Sequence, residues 1–210
     1  PTVRPGISLM ENLGQVFVGL CPSALSSIDV EVRGEIVAHD VTVLKLAALK
    51  GIFSRIVSEQ VSYVNAPLMA EARGMEVTLT KDETSNDYRN LLTIRGVLAD
   101  GSVVSASATL TGAKQTQKLV GINGYEVEVP LASHHIVMMY EDRPGIVAVY
   151  GKAFGDASIN IAGMQIARDT RGGQALSVLT VDSRVPDELL AEVAAAISAT
   201  TMAPIDVIDL

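Results

Sequence analysis

From His135 onward the hydrophobic pattern admits very few folds. Apolar runs suited to strands and amphipathic runs suited to helices follow one another in the order βαββαβ. The first strand is read at His135–Tyr140 and the first helix at Gly145–Phe154, with Gly155 as its C-terminal stop. The second strand spans Ser158–Arg168, Asp169-Thr170-Arg171-Gly172-Gly173 forms a turn, and the third strand is Gln174–Asp182. The second helix runs from Pro186 to about Ala199, with Asp187 and Glu188 in the first turn, where the macrodipole favours acids. The last strand is Pro204–Asp209. Each crossover carries one helix, so both helices cover the same face of the sheet. The other face then requires cover from a partner, a ligand or a second copy.

The upstream part obeys a different pattern. Residues 7–20 place Leu9, Met10, Leu13, Val16 and Phe17 on one helical stripe, and Cys21-Pro22-Ser23 ends it. Ser27–Arg33 alternates as a half-buried strand. Asp40 is placed to cap a helix running to about Val57, with Val43, Leu44, Ala47, Ala48 and Ile52 inward and Gly51 inside it at some cost to helicity. Asn65-Ala66-Pro67 opens a short helix that ends near Gly74, Glu76–Lys81 is a strand, and Asp82–Asn90 is a polar loop. Two hairpins follow: Leu91–Leu98 with Val103–Leu110 across Asp100-Gly101, and Lys118–Ile122 with Tyr125–Val129 across Asn123-Gly124. Both turn dipeptides accept the positive φ angles of tight hairpins. With Pro130-Leu131-Ala132-Ser133 as a linker, the expected organisation is an α/β (α+β) protein: residues 1–133 around a mostly antiparallel sheet, then a βαββαβ, ferredoxin-like unit at 134–210.

Composition excludes several roles. A net charge of −8 with no Lys/Arg stripe argues against a nucleic-acid partner, and 4% aromatics with no Trp leave little to stack on bases. The longest apolar runs fall far short of the roughly 20 residues a bilayer requires. A lone Cys21 makes no internal disulfide and fits a reducing, cytoplasmic setting. The start, Pro1-Thr-Val-Arg-Pro-Gly, has neither an initiator Met nor a signal-peptide run, as expected of a chain that begins inside something larger; a removed tag would look the same. No Gly-x-Gly-x-x-Gly, phosphate-binding loop or Gly-x-Ser-x-Gly is found. His134 and His135 are adjacent on a strand, point to opposite faces and are not positioned to share one metal.

Two stretches carry a family resemblance. Tyr140-Glu-Asp-Arg-Pro-Gly-Ile-Val, with Ala157-Ser-Ile-Asn-Ile-Ala after the helix, resembles an ACT domain, a regulatory module that binds amino acids. Upstream, Glu31-Val-Arg-Gly-Glu, Leu44-x-Leu-Ala-Ala-Leu-Lys-Gly-Ile-Phe-Ser, Val64-Asn-Ala-Pro and Val120-Gly-Ile-Asn-Gly resemble the intervening domain of long-form D-3-phosphoglycerate dehydrogenases. The resemblance covers nearly the whole chain. It implies the C-terminal regulatory half of such an NAD-dependent oxidoreductase of serine biosynthesis. Its NAD site and catalytic His–Glu pair would then lie in the N-terminal catalytic domains, with no cofactor, metal or catalytic residue here.

In that family the effector is L-serine, held where two ACT domains of a homo-oligomer pair. Tyr140, Asp142 and Asn160 match that site. Asp142 would accept from the ammonium, Asn160 would orient the ligand, and backbone N–H groups at the helix start would face the carboxylate. Pro144 presets the turn and Gly145 allows close approach. The plainer readings are Asp142 as a helix N-cap, Tyr140 as a core residue, Asn160 as a loop residue and Arg143 as a solvated charge. The family's intervening domain can also hold a phosphate-bearing substrate through a cationic cluster. Lys118 matches one such position, whereas Tyr125, Pro130 and Thr180 stand where related proteins can carry arginines. Lys114 and Lys118, then Arg33 and Arg95, are the remaining cationic candidates, and the plainer reading of each is a surface charge. Two other roles fit parts of the sequence: a purely structural oligomerisation module, and the regulatory part of an iron–sulfur serine dehydratase, whose cluster needs more thiolates than Cys21 offers.

Overall fold

The computed structural model describes residues 2–210. The chain divides into two compact units, the first ending at Gly124 and the second spanning Tyr125–Leu210. The first begins with α1 (Arg4–Leu20), which starts ahead of the expected residue 7 because Pro5 sits in the first turn, where a missing N–H leaves no bond unmade. Its expected stripe is the buried one: Leu9, Met10, Leu13, Val16 and Phe17 are at most 1% exposed. Strand β1 (Leu25–Gly34) follows, then a 3₁₀ segment at Glu35–Ala38, α2 (Thr42–Phe53) and α3 (Asn65–Ala72).

Asp40 accepts the Thr42 N–H at 3.0 Å, so it serves the start of α2 from two residues outside the helix. The helix stops at Phe53, short of Val57, where the Ser54 hydroxyl turns back to the Gly51 carbonyl at 2.7 Å. Strands β2 (Glu76–Asp82), β3 (Asn90–Leu98), β4 (Val103–Thr111) and β5 (Thr116–Ile122) complete the unit, in the order β2-β1-β3-β4-β5. Only the β1–β2 pair is parallel. Asn123 and Gly124 have φ of 48° and 83°, the positive angles that the Asn-Gly dipeptide supplies.

The second unit holds β6 (Tyr125–Pro130), β7 (His134–Glu141), α4 (Ile146–Asp156), β8 (Ile161–Arg168), β9 (Gln174–Val181), α5 (Asp187–Ile197) and β10 (Thr201–Asp206). The four-stranded sheet runs β10-β7-β9-β8, and α4 and α5 bury Tyr150, Phe154, Leu190, Val193 and Ile197 against it with Ile136, Met138 and Leu179.

Four details differ from the sequence reading. α4 continues through Gly155 to Asp156, and the left-handed residue after it is Ser158, at φ 60°. β8 starts at Ile161, so Asn160 precedes the strand instead of lying in it. β10 starts at Thr201 and carries Pro204 in its middle, which an edge strand tolerates because one row of its N–H groups goes unpaired. The sheet face away from the helices is not open: Val137, Leu176 and Val178 are fully buried within this chain. On that side the Glu128 N–H of β6 donates to Gln165 Oε1 on β8 at 2.7 Å.

His135 lies on that buried face. Its Nε2 accepts the Ala132 N–H at 2.9 Å, and its Nδ1 sits 3.2 Å from Thr180 Oγ1. A nitrogen that accepts an N–H carries no proton, so the native ring is neutral with its proton on Nδ1. Burial pushes its pKa down to about 4, from an ordinary 6.5. Below 6.5 the unfolded chain therefore binds a proton that the native chain refuses until about 4. This contribution to stability is complete above 6.5 and is lost as pH falls toward 4. Between pH 7 and pH 5 the second unit is expected to lose about 2 kcal/mol from this group. Denaturant unfolding at both pH values checks it, since His135→Gln should remove that part of the pH dependence.

Candidate functional site

The β7–α4 junction is built to leave polar groups facing a hollow. Gly145 has φ 91° and ψ −14°, the third position of a type II turn, and Pro144 before it is the residue such a turn favours. The turn sets α4 off with Gly145 as its N-cap and no side-chain cap. The N–H groups of Ile146, Val147 and Ala148 thus begin the helix without intrahelical partners and with no acid in the first turn. They edge a crevice of about 380 Å³ between the start of α4 and the end of β8.

Tyr140, Asp142, Pro144 and Gly145 all line this crevice. Asp142 is not a helix cap. Its own N–H donates to the Gly173 carbonyl at 2.8 Å, which fixes the backbone. Its Oδ2 lies 3.3 Å from Arg168 Nη1 and 3.5 Å from the Gly172 N–H, with the side chain 21% exposed. Oδ1 accepts no hydrogen bond among the described residues. A carboxylate offers about four acceptor positions, so this one retains capacity for a cation entering the crevice. Tyr140 is 2% exposed and its hydroxyl bonds Ser177 Oγ, so it is a core residue that also forms the floor.

Asn160 is elsewhere. It precedes β8, whereas the crevice lies at that strand's other end, a strand length of roughly 25 Å away. There its side-chain amide donates to Asp182 Oδ2 at 2.8 Å. The crevice residues missed in the sequence include Arg168, Ile166 and Val147. Their signal is faint: Arg168 is merely the last residue of a strand before a polar turn.

In the first unit, Lys114 is exposed in the β4–β5 turn and Lys118 is half-buried on β5 opposite Thr109. Neither lines that unit's cavity of about 450 Å³. The cavity's arginine, Arg89, is already held by Glu35 at 2.7 Å. Arg33 pairs with Asp82 at 2.8 Å, and Arg95 is exposed on β3. His134 bonds Asp206 at 2.7 Å, and no group of three metal-ligating side chains occurs among the described residues. No helix of the described residues is long and apolar enough to cross a membrane.

Comparison with known proteins matches two separate parts of the chain. Residues 2–123 match the D-3-phosphoglycerate dehydrogenase intervening domain, and residues 134–198 match the ACT domain. The chain is 38% identical over 205 residues to D-3-phosphoglycerate dehydrogenase of Mycobacterium tuberculosis, covering 97% of this chain and 39% of that protein. The proteins of that name from Synechocystis and Bacillus subtilis are 30% and 24% identical, over 91% and 90% of this chain and 34% and 36% of their own lengths. The chain thus spans less than two-fifths of the length of each of these relatives.

Proposed function

Since the chain belongs to the D-3-phosphoglycerate dehydrogenase family through its intervening and ACT domains, we propose that it is the C-terminal regulatory part of such an enzyme and binds L-serine as a feedback effector. The observation that carries this is the split of the expected site. Asp142, half-enclosed with an open oxygen, and Asn160 lie at opposite ends of β8, and β8 is an edge strand. If β8 pairs antiparallel with the β8 of a second copy, the ends are exchanged, and the partner's start of β8 comes to Asp142. One zwitterion then meets an acid from one chain and an amide from the other. The edge is suited to such pairing. Met164 and Ile166 on β8 and Val147 on α4 are 48%, 38% and 42% exposed, an apolar strip beside unpaired backbone.

Serine bridging two copies would favour the arrangement of subunits that forms the site, by as much as its affinity for that arrangement exceeds its affinity for others. We place the nicotinamide chemistry of the longer enzyme outside these residues. The β7–α4 turn offers a single glycine, Gly145, followed by the bulky Ile146 and Val147, and not the glycine-rich turn a dinucleotide requires.

Calorimetric titration with L-serine tests the reading: saturable heat supports it and its absence sinks it. A mixing experiment tests the two-chain geometry. Asp142→Ala and Asn160→Ala chains should each bind weakly alone, with Asn160→Ala about tenfold down. Mixed, they form heterodimers with one intact site, so strong binding should return at a fraction of the wild-type stoichiometry. The apolar edge also favours a plainer role, self-association without a ligand. Sedimentation with and without serine separates the two.

A further inference from the structure

We infer that Arg168 is the residue that recognises the carboxylate of the effector, so that the crevice selects α-amino acids over other amines; this rests on the amino-acid-binding reading above. Arg168 ends β8 and faces Ala175 on β9, which in turn faces Tyr140 on β7. The small Ala175 side chain leaves a low point between the two outer residues, and Arg168 reaches across it toward Asp142. Its Nη1 is 3.3 Å from Asp142 Oδ2, and the side chain makes no other hydrogen bond or ion pair among the described residues. The guanidinium is 57% exposed and has five N–H donors in a planar fork, so most of that fork is free to take a carboxylate bidentately.

The crevice therefore presents an acceptor and a donor side by side. An α-amino acid carries its ammonium and carboxylate on one carbon, the same juxtaposition with the signs reversed. With the ammonium on Asp142 Oδ1 and the carboxylate on the Arg168 fork, the four charges alternate. The N–H groups that open α4 add a second set of donors on the same side. Arg143 also lines the crevice but forms no ion pair with Asp142, so the structure assigns the role to Arg168.

The test compares L-serine with L-serinamide, which keeps the ammonium and hydroxyl but has a neutral amide for the carboxylate. Wild-type protein should prefer serine by about tenfold or more. In Arg168→Gln the affinity for serine should fall about tenfold while that for serinamide holds or rises, so the preference collapses. Arg168→Lys, which keeps the charge but loses the fork, should fall between. Unchanged or tighter serine binding in Arg168→Gln overturns the assignment and would make Arg168 a mere cover for Asp142, leaving the serine reading intact. Failure of the wild-type protein to bind serine overturns that reading and this inference with it.

Discussion

Gly51→Ala unfolds or severely weakens the first unit, although alanine is the better helix former. By propensity alone the change would stabilise α2 by about 1 kcal/mol. The packing reverses the sign. A Cβ on Gly51 would stand 2.0 Å from the Glu11 carbonyl oxygen and 2.9 Å from its carbon, in the backbone of α1. The crossing is reciprocal, because a Cβ on Gly14 would stand 2.6 Å from the Ala48 carbonyl oxygen. Backbone cannot rotate out of the way as a side chain can, so the two helices must separate. Separation disturbs two helices whose Leu13, Phe17, Leu49, Ile52 and Phe53 are at most 1% exposed. Overpacking of this kind costs about 1–3 kcal/mol even where side chains give way, and a backbone clash belongs at or beyond the upper end. Gly151→Ala in α4 is the control: nothing lies within 4 Å of its Cβ, so it should gain about 0.5–1 kcal/mol. Denaturant or thermal unfolding reads both. A Gly51→Ala protein as stable as wild type would mean that the helices do not cross at this glycine.

Gly51 also marks how far the sequence can be read. Its place in a helix follows from periodicity, and so does a propensity penalty; the reason a glycine is kept there is a neighbour some 40 residues away, which no local pattern reveals. The same divide recurs. The buried stripe of α1 and the βαββαβ order were legible because hydrophobic period is a local signal. The ends of α4 and β10 were not, because Gly155 and Pro204 break elements only in some tertiary settings. In α4 a glycine with open space around it simply continues the helix, and on an edge strand a proline loses no ladder bond. At the site, Asp142, Pro144 and Gly145 were legible because turn chemistry concentrates unusual residues. Asn160 was named, but its distance from Asp142 within one chain was not foreseeable. Arg168 was missed because its role depends on the β7-β9-β8 register that lays it across Ala175.

Asp142→Ala should weaken L-serine binding roughly 10- to 100-fold, or roughly 1.5–3 kcal/mol, the range for a charge-assisted hydrogen bond. The fold should be nearly indifferent, since Asp142 caps no helix and its one ion partner, Arg168, is mostly exposed. This separation of binding from stability distinguishes a ligand contact from a structural acid. The charge balance of the crevice predicts more. With Asp142 present, its acid and the Arg168 guanidinium suit a zwitterion; without it, Arg143, Arg168 and the start of α4 leave a purely cationic hollow. Glycerate, which has serine's carboxylate and hydroxyl groups but no ammonium, should therefore bind the variant at least as well as it binds the wild type. The preference for serine over glycerate should shrink by the full 10- to 100-fold or more. Asp142→Asn, which keeps the shape and loses the charge, should behave like the alanine variant. Calorimetry with both ligands on the three proteins decides it. Serine affinity unchanged in either variant would remove the acid from the site, and with it the reason for its place between β7 and α4.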